Sequence, residues 1–428
     1  MVRTPRVEAA MRAVPRHVFL PGVPLHRAYA NDVVQTKHDP AGMPISAASQ
    51  PSIVGAMLDQ LAVEPGMRVL EVGAGTGYNA ALLAYLAGAG GRVVTVDVDD
   101  DIVAGARAAL ARFATGRSAK EGTRTDGAGI ADVTVLRGDG ALGCPEFAPY
   151  DRIIATVGTW DLPLAWQEQL APDGRLVVPL RLRGGVTRSI AFVPSPGGEG
   201  LQSISSEMCG FMPLRASVAS DPRRVIPLTP PGDVTLEVQQ DQTADAAALT
   251  GVLDTEPGTV WTGVSLRDAQ SADGLSLWLT CTVPGGMFGM SARPAAVERG
   301  IVTPMFRWGA VAAVDSGSLA YLTLGPPEQT EAPGDPEAPG GSGGPGTMRE
   351  IGVVGHGAHG QDLARVVVGQ VHQWAREYQS RTPSFTVTPL GSARAAGEYM
   401  TGEFAAGEFA PGEFVFRTPS NLLVITWQ

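Results

Sequence analysis

Hydrophobic and polar positions in the first half of the chain follow two alternating patterns. Short apolar runs predict strands at residues 69–72, 93–97, 133–137, 152–156 and 176–179. Stretches with helical spacing follow the first two of these runs, at residues 78–87 and 101–113. Because strands joined by helical connections form parallel sheets with both faces covered, we expect an α/β fold with a doubly wound, parallel-rich sheet.

Residues 1–65 precede this region and are predicted to be mixed and partly helical. A helix is expected within residues 50–61, because Ile53, Met57, Leu58 and Leu61 share one face and Pro51 suits the first turn. Within the α/β region, residues 115–131 are rich in Gly, Ser, Thr and charge. We interpret them as a surface loop insertion.

After about residue 216 the pattern changes. Strands are predicted at residues 234–238, 274–283, 318–324 and 421–428, and a helix at residues 361–378. Residues 326–347 are rich in Pro, Gly and Glu and are predicted to be a disordered linker. A Gly-Glu-Tyr/Phe unit begins at positions 397, 402, 407 and 412. It indicates either slippage in a loop or a flexible aromatic-acidic contact surface.

These changes in pattern divide the chain into three predicted segments. Residues 1–65 form an N-terminal helical and substrate segment, residues 66–215 the α/β core, and residues 216–428 a β-rich α+β C-terminal domain. The C-terminal segment contains no recognisable catalytic constellation. We expect it to cover the active site and to recognise the substrate.

Composition narrows the classes of partner. A net charge of −11 over 428 residues argues against a nucleic-acid partner, which requires clustered Lys and Arg. No apolar run approaches a membrane span, and the N-terminus lacks a signal-peptide core. The cysteines Cys144, Cys209 and Cys281 lie far apart, without disulfide or zinc spacing. A reduced, cytoplasmic protein without a membrane partner is expected, and the sequence sets no oligomeric state.

One glycine-rich turn predicts a ligand site. An apolar strand runs into Glu71, and Gly73, Gly75 and Gly77 follow it at every second position. Glycine lets the backbone approach a ligand closely. The next strand ends at Asp97, whose carboxylate can accept both hydroxyls of a ribose. The G-x-G-x-x-G fingerprint of dinucleotide sites is absent, so this spacing indicates S-adenosyl-L-methionine as the cofactor.

At several separate places the chain resembles the protein-L-isoaspartate O-methyltransferase family. The matching segments are residues 14–21 (Val-Pro-Arg-His-Val-Phe-Leu-Pro), 28–29, 49–51 (Ser-Gln-Pro), 71–77, 97, 138–140 (Gly-Asp-Gly), 150–154, 172–179 and 210–214. The cofactor loop is common to many methyltransferases, whereas the Ser-Gln-Pro and Val-Pro-Arg-His elements are specific. The resemblance covers roughly residues 5–215.

The resemblance implies a Rossmann-like methyltransferase that uses S-adenosyl-L-methionine and acts on a side-chain or isopeptide carboxylate of a peptide. It implies cofactor binding by Glu71, Gly73, Gly75, Gly77, Asp97, Val98, Asp139 and Gly140. It implies substrate binding by Ser49, Gln50 and Val157, with Ser49 as the catalytic residue that orients the accepting carboxylate. A carboxylate is already a nucleophile, so the site has to position it rather than deprotonate it.

Each of these residues also has a structural interpretation. Ser49 could be a helix N-cap, and Ser46 is an alternative for its role. Asp97 could be a solvated strand end, Asp139 a turn former, and Glu71 a structural partner of its neighbours.

A metal site is considered and not predicted. His356 and His359 could suggest one, but no third ligand stands at a convincing spacing. We expect these histidines to form a turn before a helix, and His17 to be structural.

This chain, with 428 residues, is roughly twice as long as a single-domain repair enzyme. Remote binding energy can hold one particular substrate, so a long extension favours a dedicated enzyme. The layout resembles extended methyltransferases that mature ribosomal peptides of the graspetide, lanthipeptide or lasso classes. These methylate an aspartate and so promote an aspartimide. The alternatives are a general isoaspartyl repair enzyme, a non-catalytic peptide-binding scaffold, and a small-molecule or arginine methyltransferase.

Overall fold

The structure is a computed structural model. It describes residues 2–428 except 41, 43, 121–128, 216–222, 231, 240–241, 268–271, 308, 330–346 and 393–406. The strands in the described residues are β1 (Val34–His38), β2 (Pro44–Ala48), β3 (Arg68–Val72), β4 (Arg92–Asp97), β5 (Asp132–Arg137), β6 (Tyr150–Ala155), β7 (Leu170–Arg181), β8 (Thr187–Pro194), β9 (Leu201–Met208), β10 (Arg224–Pro227), β11 (Val234–Val238), β12 (Gly258–Arg267), β13 (Phe288–Ala292), β14 (Gly309–Asp315), β15 (Ser318–Leu324), β16 (Glu328–Gln329), β17 (Thr347–His356), β18 (Pro383–Pro389), β19 (Gly407–Ala410), β20 (Glu413–Arg417) and β21 (Asn421–Trp427).

The α-helices are α1 (Pro5–Ala13), α2 (Leu25–Ala28), α3 (Pro51–Leu61), α4 (Tyr78–Ala87), α5 (Asp100–Lys120), α6 (Leu164–Gln169), α7 (Ala246–Leu249), α8 (Asp273–Thr282), α9 (Pro294–Glu298) and α10 (Gly360–Gln373). A π-helical turn, Trp374–Tyr378, continues α10. Short 3₁₀ turns include Arg16–Phe19 and Gly140–Leu142. No helix of the described residues is both long and apolar enough to cross a membrane.

The larger sheet has 11 strands in the order β19-β20-β21-β18-β9-β8-β7-β6-β3-β4-β5. Strands β3 to β7 within it pair in parallel, and the remaining neighbours pair antiparallel. The central strands are buried on both faces, as their continuous apolar runs predicted. The predicted α/β fold with a doubly wound, parallel-rich sheet is confirmed.

The smaller sheet has eight strands and is antiparallel, with the order β10-β11-β13-β14-β15-β17-β12, and β16 pairs with β17. Helices α8 and α10 pack together, and α10 contacts β12, β15 and β17. This is the β-rich α+β region expected after the core.

Five predicted features differ from the structure. The sequence predicts a strand at residues 274–283, but the helix α8 (Asp273–Thr282) occupies this region. Leu275 and Trp278 are buried on one face of α8, and Leu277 is buried on the other. A short apolar run buried on every side has no period that separates strand from helix.

The predicted loop at residues 115–131 is partly helical, since α5 continues to Lys120, and residues 121–128 lie outside the described residues. Within the predicted linker, Glu328 and Gln329 form β16 and pair with β17. Residues 330–346 of the linker lie outside the described residues. The repeat unit at position 412 leads into β20, where Phe414 is buried, while residues 393–406 are not described.

The larger sheet also extends past the predicted boundary at residue 216. Strands β18 to β21 pair beyond β9, which places the end of the chain in the same sheet as the core. Trp278 stacks on Tyr378 with centroids 4.0 Å apart, and Phe414 and Trp427 meet its ring edge-on. One aromatic cluster therefore joins the two sheets.

Candidate active site

A cleft lies at the carboxyl ends of the parallel strands. It has a volume of about 460 Å³ and is lined by the ends of β3 and β4 and by the segment after β6. Strand order reverses between β3 and β6, because β3 continues towards β4 while β6 continues towards β7. Such a reversal opens a crevice in which α/β sheets bind ligands.

The glycine turn forms the floor of this cleft between β3 and α4. Gly73, Gly75 and Gly77 have φ of +99°, +49° and +82°, a region that favours glycine. A Cβ atom at Gly73 would lie 2.6 Å from Oγ1 of Thr156, which hydrogen-bonds the Gly73 carbonyl at 2.7 Å. Gly73 and Gly75 line the cleft, and Gly77 caps α4. A side chain has no room at Gly73, and the positive φ disfavours one at all three positions, so the space above the turn is left to a ligand.

Asp97 and Val98 line the cleft where β4 ends. The Asp97 carboxylate accepts weak hydrogen bonds from the backbone N–H groups of Gly75 and Asp99, at 3.2 and 3.3 Å. These contacts hold the acid against the glycine turn. The sequence also allowed Asp97 to be a solvated strand end. In the structure its carboxylate lies at the wall of the cleft and is held by two backbone N–H groups.

Glu71 is completely buried beneath the turn. Its carboxylate accepts hydrogen bonds from Asn79 Nδ2 at 2.8 Å and from Thr95 Oγ1 at 2.6 Å. Burial raises the pKa of Glu71 to about 7, although both hydrogen bonds oppose the shift. Glu71 lines a small recess of about 40 Å³, shared with Ser49, Gly73 and Gly75, that adjoins the cleft.

The segment after β5 contributes through its backbone. Gly140 lines the cleft, and a Cβ atom there would lie 2.5 Å from Val72 Cγ1. Asp139 does not line it, and its carboxylate accepts from the Ala141 N–H at 2.9 Å as the N-cap of a 3₁₀ turn. The Asp139 carboxylate thus makes the turn contact that the structural interpretation expects, and its cofactor-binding role stays a prediction.

Ser49 stands between β2 and α3 and lines both the cleft and the recess. The N-cap of α3 is Gln50, which also lines the cleft, so Ser49 is not the capping residue. The Ser49 carbonyl accepts from Nη2 of the buried Arg16 at 2.8 Å. Ser46 lines the cleft as well, with its Oγ 3.1 Å from the hydroxyl of Thr36. Both candidate serines thus face the same space.

Val157 forms the opposite wall with the segment at residues 210–214. Gly158 pairs with Pro213 in a parallel bridge: the Gly158 N–H donates to the Met212 carbonyl at 2.7 Å, and the Leu214 N–H donates to the Gly158 carbonyl at 2.8 Å. The predicted substrate residues Ser49, Gln50 and Val157 therefore surround the same cleft as the predicted cofactor residues.

Sequence reasoning missed an ion-pair network at the rim. Lys37 on β1 reaches Asp99 at 2.8 Å and Asp101 at 2.6 Å, and Arg215 reaches Asp99 at 2.8 Å. The Arg215 and Lys37 hydrogen bonds hold the pKa of Asp99 below its usual range. The network ties the β1-β2 hairpin and the 210–215 segment to the loop after β4. The Asp97–Asp101 acid run was visible in the sequence, but its basic partners lie far along the chain.

The three histidines considered in the sequence analysis have structural contacts. His17 Nδ1 lies 2.8 Å from the Tyr29 hydroxyl, His356 ends β17 and stacks on Tyr321, and His359 is the N-cap of α10. Among the described residues, no group of three His, Cys, Asp or Glu side chains could hold a metal ion.

The residues present fit S-adenosyl-L-methionine. The cleft has the volume of a small-molecule site, a side-chain-free glycine cradle and an acid at its wall. Asp97 and Val98 would hold the ribose, Gly73, Gly75 and Gly140 would flank the cofactor, and Glu71 would lie near its amino-acid end.

Comparison with known proteins agrees with this fit. The family model for protein-L-isoaspartate(D-aspartate) O-methyltransferase matches residues 1–216. The chain is 39% identical over 175 residues to the protein-L-isoaspartate O-methyltransferase of Methanococcoides burtonii, covering 41% of this chain and 76% of that protein. It is 38% identical over 213 residues to that of Methanoregula boonei, covering 50% of this chain and 86% of that protein.

A solved protein-L-isoaspartate O-methyltransferase structure aligns with 89% of this chain and 92% of its own, at 20% identity and a TM-score of 0.43. The fold and the cofactor class expected from the sequence are confirmed by the family match.

Proposed function

Because the chain belongs to the protein-L-isoaspartate O-methyltransferase family, we propose that it methylates the free carboxylate of an isoaspartyl residue in a protein or peptide. Family membership makes it an S-adenosylmethionine-dependent carboxyl methyltransferase. The observation that carries the proposal is the single cleft around which Ser49, the glycine cradle and Asp97 are gathered.

The protein's task in this reaction is positioning. When bound, S-adenosyl-L-methionine supplies an electrophilic methyl group on a sulfonium. The Ser49 hydroxyl can donate a hydrogen bond to the accepting carboxylate, and Gln50 and Val157 bound the space beside it. Val157 and residues 210–214 form the facing wall of the cleft. Holding the oxygen about 3–3.5 Å from its target can remove up to about 7–11 kcal/mol of the barrier.

The test uses the purified full chain, S-adenosyl-L-methionine and a pair of peptides that differ only in one linkage, isoaspartyl or aspartyl. Mass spectrometry should find one added methylene on the isoaspartyl peptide and little on its aspartyl twin. Equal methylation of both, or of neither while S-adenosylhomocysteine still binds, would contradict isoaspartyl specificity.

A cavity at the junction with the C-terminal region favours a second candidate, a dedicated enzyme for one modified precursor peptide. The cavity has a volume of about 360 Å³ and is lined by Trp160, Arg181, Arg183 and, from the last strands, Phe416 and Arg417. Arg181 lies over the Trp160 ring at 4.9 Å, and Arg183 over the Phe416 ring at 5.1 Å. Guanidinium groups beside aromatic faces suit an acidic peptide segment.

The cavity is close enough to the cleft to serve one peptide. Trp160 follows Val157 by three residues, which span at most about 10 Å of extended chain. A peptide held there could therefore present a carboxylate to Ser49. The carbonyl carbon of an aspartate methyl ester is a better electrophile than that of a carboxylate. Attack by the next backbone nitrogen would release methanol and leave an aspartimide.

The two candidate functions are distinguished by comparing the methylation of a matured, cyclic precursor peptide with that of the linear isoaspartyl peptide. Methylation of the cyclic peptide alone, followed by a net loss of water, supports the dedicated enzyme. Arg417→Ala should then raise KM for the cyclic peptide several-fold, whereas Arg376→Ala, exposed on the π-helical turn, should not. Brisk turnover of the linear peptide supports the isoaspartyl enzyme.

A further inference from the structure

Arg16 is a buried cation next to the active site. It opens the 3₁₀ turn after α1 and only 2% of its surface is exposed. Its Nε donates to the Ala28 carbonyl at 2.8 Å, and its Nη2 to the carbonyls of Ala48 and Ser49 at 3.4 and 2.8 Å. The guanidinium also lies 5.1 Å from the centre of the Tyr78 ring.

These contacts leave the charge of Arg16 uncompensated. All of its hydrogen-bond acceptors are backbone carbonyls, and within the part of the chain that the structure describes no carboxylate forms an ion pair with it. Its Nη1 is buried and has no hydrogen-bond partner among the described residues. Burial lowers the pKa of Arg16, which reflects the cost of an isolated buried charge. Such a group is strongly stabilised by an anion.

The space beside Arg16 matches the size and polarity of a carboxylate. Arg16 lines the recess of about 40 Å³ that also contains Ser49 and Glu71. One water occupies about 30 Å³ of liquid, so only a small group fits there. The recess has a cation at one wall and an acid at another, which is the arrangement that a zwitterionic amino-acid group requires. It opens to the cleft through Ser49, Gly73 and Gly75, which line both.

We propose that Arg16 is a ligand-binding residue that holds a carboxylate in this recess, namely that of the cofactor's amino-acid end. The methyl-accepting carboxylate is the other source of the same chemistry, because Ser49 borders the same space. The proposal rests on the proposed function only in that the cleft holds S-adenosyl-L-methionine. Arg16 would also fix the Ser49 backbone through the bond it already donates.

The test measures coupling between Arg16 and a ligand carboxylate by calorimetry, without turnover. In the first arm, wild type and R16Q are titrated with S-adenosylhomocysteine and with its decarboxylated analogue. In the second arm, both proteins saturated with S-adenosylhomocysteine are titrated with an isoaspartyl peptide and with the neutral isoasparagine peptide. R12Q, an exposed arginine on α1 paired with Glu8, is the matched control.

Wild type and R12Q should bind S-adenosylhomocysteine at least about tenfold more tightly than the decarboxylated analogue, and R16Q should bind both alike. The same coupling in the peptide arm alone would assign the carboxylate to the acceptor. A residue that merely braces three carbonyls would weaken all ligands equally. Full discrimination by R16Q in both arms would therefore overturn the proposal.

If R16Q does not fold, R16K takes its place, because it keeps the charge but not the planar fork. Discrimination reduced several-fold supports the proposal, and unchanged discrimination overturns it. Failure of the enzyme to methylate isoaspartyl peptides would leave the first arm unaffected, so the two proposals fail separately.

Discussion

At the scale of single residues, Glu71 departs furthest from its ordinary chemistry. It sits in the strand that precedes the cofactor turn, fully buried, and accepts hydrogen bonds from the side chains of Thr95 and Asn79. A carboxyl group in such a place is stabilised in its protonated form. The sequence shows that an acid stands at this position, but the protonation state of Glu71 follows from its burial.

Glu71→Gln should remove a pH dependence of stability. The folded state holds the Glu71 proton up to a pKa of about 7, whereas the ordinary value is 4.5. Between these values the folded state binds more protons than the unfolded state, so stability falls as pH rises, by up to about 3 kcal/mol. Urea unfolding at about pH 5 and about pH 8 should show Glu71→Gln gaining on wild type at the higher pH. A constant difference at both values would contradict the raised pKa.

Ser49 and Ser46 offer a matched comparison of two serines on one cleft. Ser49→Ala should lower kcat/KM for an isoaspartyl peptide by about 10- to 100-fold, because it removes a donor to a charged group. Binding of S-adenosylhomocysteine, followed by calorimetry, should change little. Ser46→Ala should retain most of the activity. The reverse pattern would transfer the orienting role to Ser46.

At the scale of elements, the turn after β3 requires glycine at Gly73 for two reasons: its φ is positive, and neighbouring atoms leave no space for a Cβ. Gly73 and Gly66 both have positive φ, +99° and +84°, but only Gly73 is crowded. The pair therefore separates backbone strain from close packing.

Gly66→Ala should cost about 1–2 kcal/mol of unfolding free energy from strain alone. Gly73→Ala should cost about 1–3 kcal/mol more, since its Cβ would meet Thr156 Oγ1 at 2.6 Å. Chemical denaturation of both variants measures the difference. Equal losses would show that the turn relaxes around a methyl group.

At the scale of the whole molecule, the end of the chain completes the sheet that begins with the cofactor strands. Strand β18 pairs with β9, and β21 with β18, so the core sheet would present an open edge without them. The shared aromatic cluster then couples both sheets, and we expect a single unfolding transition.

Two tryptophans test this coupling. Trp427 is 4% exposed and touches Trp278 and Tyr378, whereas Trp261 on β12 is 47% exposed. Trp427→Ala should lower the unfolding free energy by about 3–5 kcal/mol. Trp261→Ala should cost less than about 1.5 kcal/mol. Urea unfolding followed by far-ultraviolet circular dichroism measures both, and two separate transitions in the wild type would contradict a shared core.

The sequence by itself determined the features that depend on short-range spacing. The alternation of strands and helices, the glycine turn after β3 and the acid at the end of β4 are local patterns, and they predicted the parallel sheet and its cofactor. Ser49, Gln50 and Val157 were predicted from a resemblance, and they line the cleft with Gly73 and Asp97.

Only the tertiary structure decided the features that depend on distant partners. The helix α8 lies where the sequence predicts a strand, in a segment that is buried on more than one face. Pairing of β18 with β9 brings the last strands into the core sheet. Packing of Ala28, Ala48 and Ser49 around Arg16 enclosed a charge that looks like a surface arginine in the sequence. These outcomes are set by contacts between segments far apart in the chain, and no local period encodes such contacts.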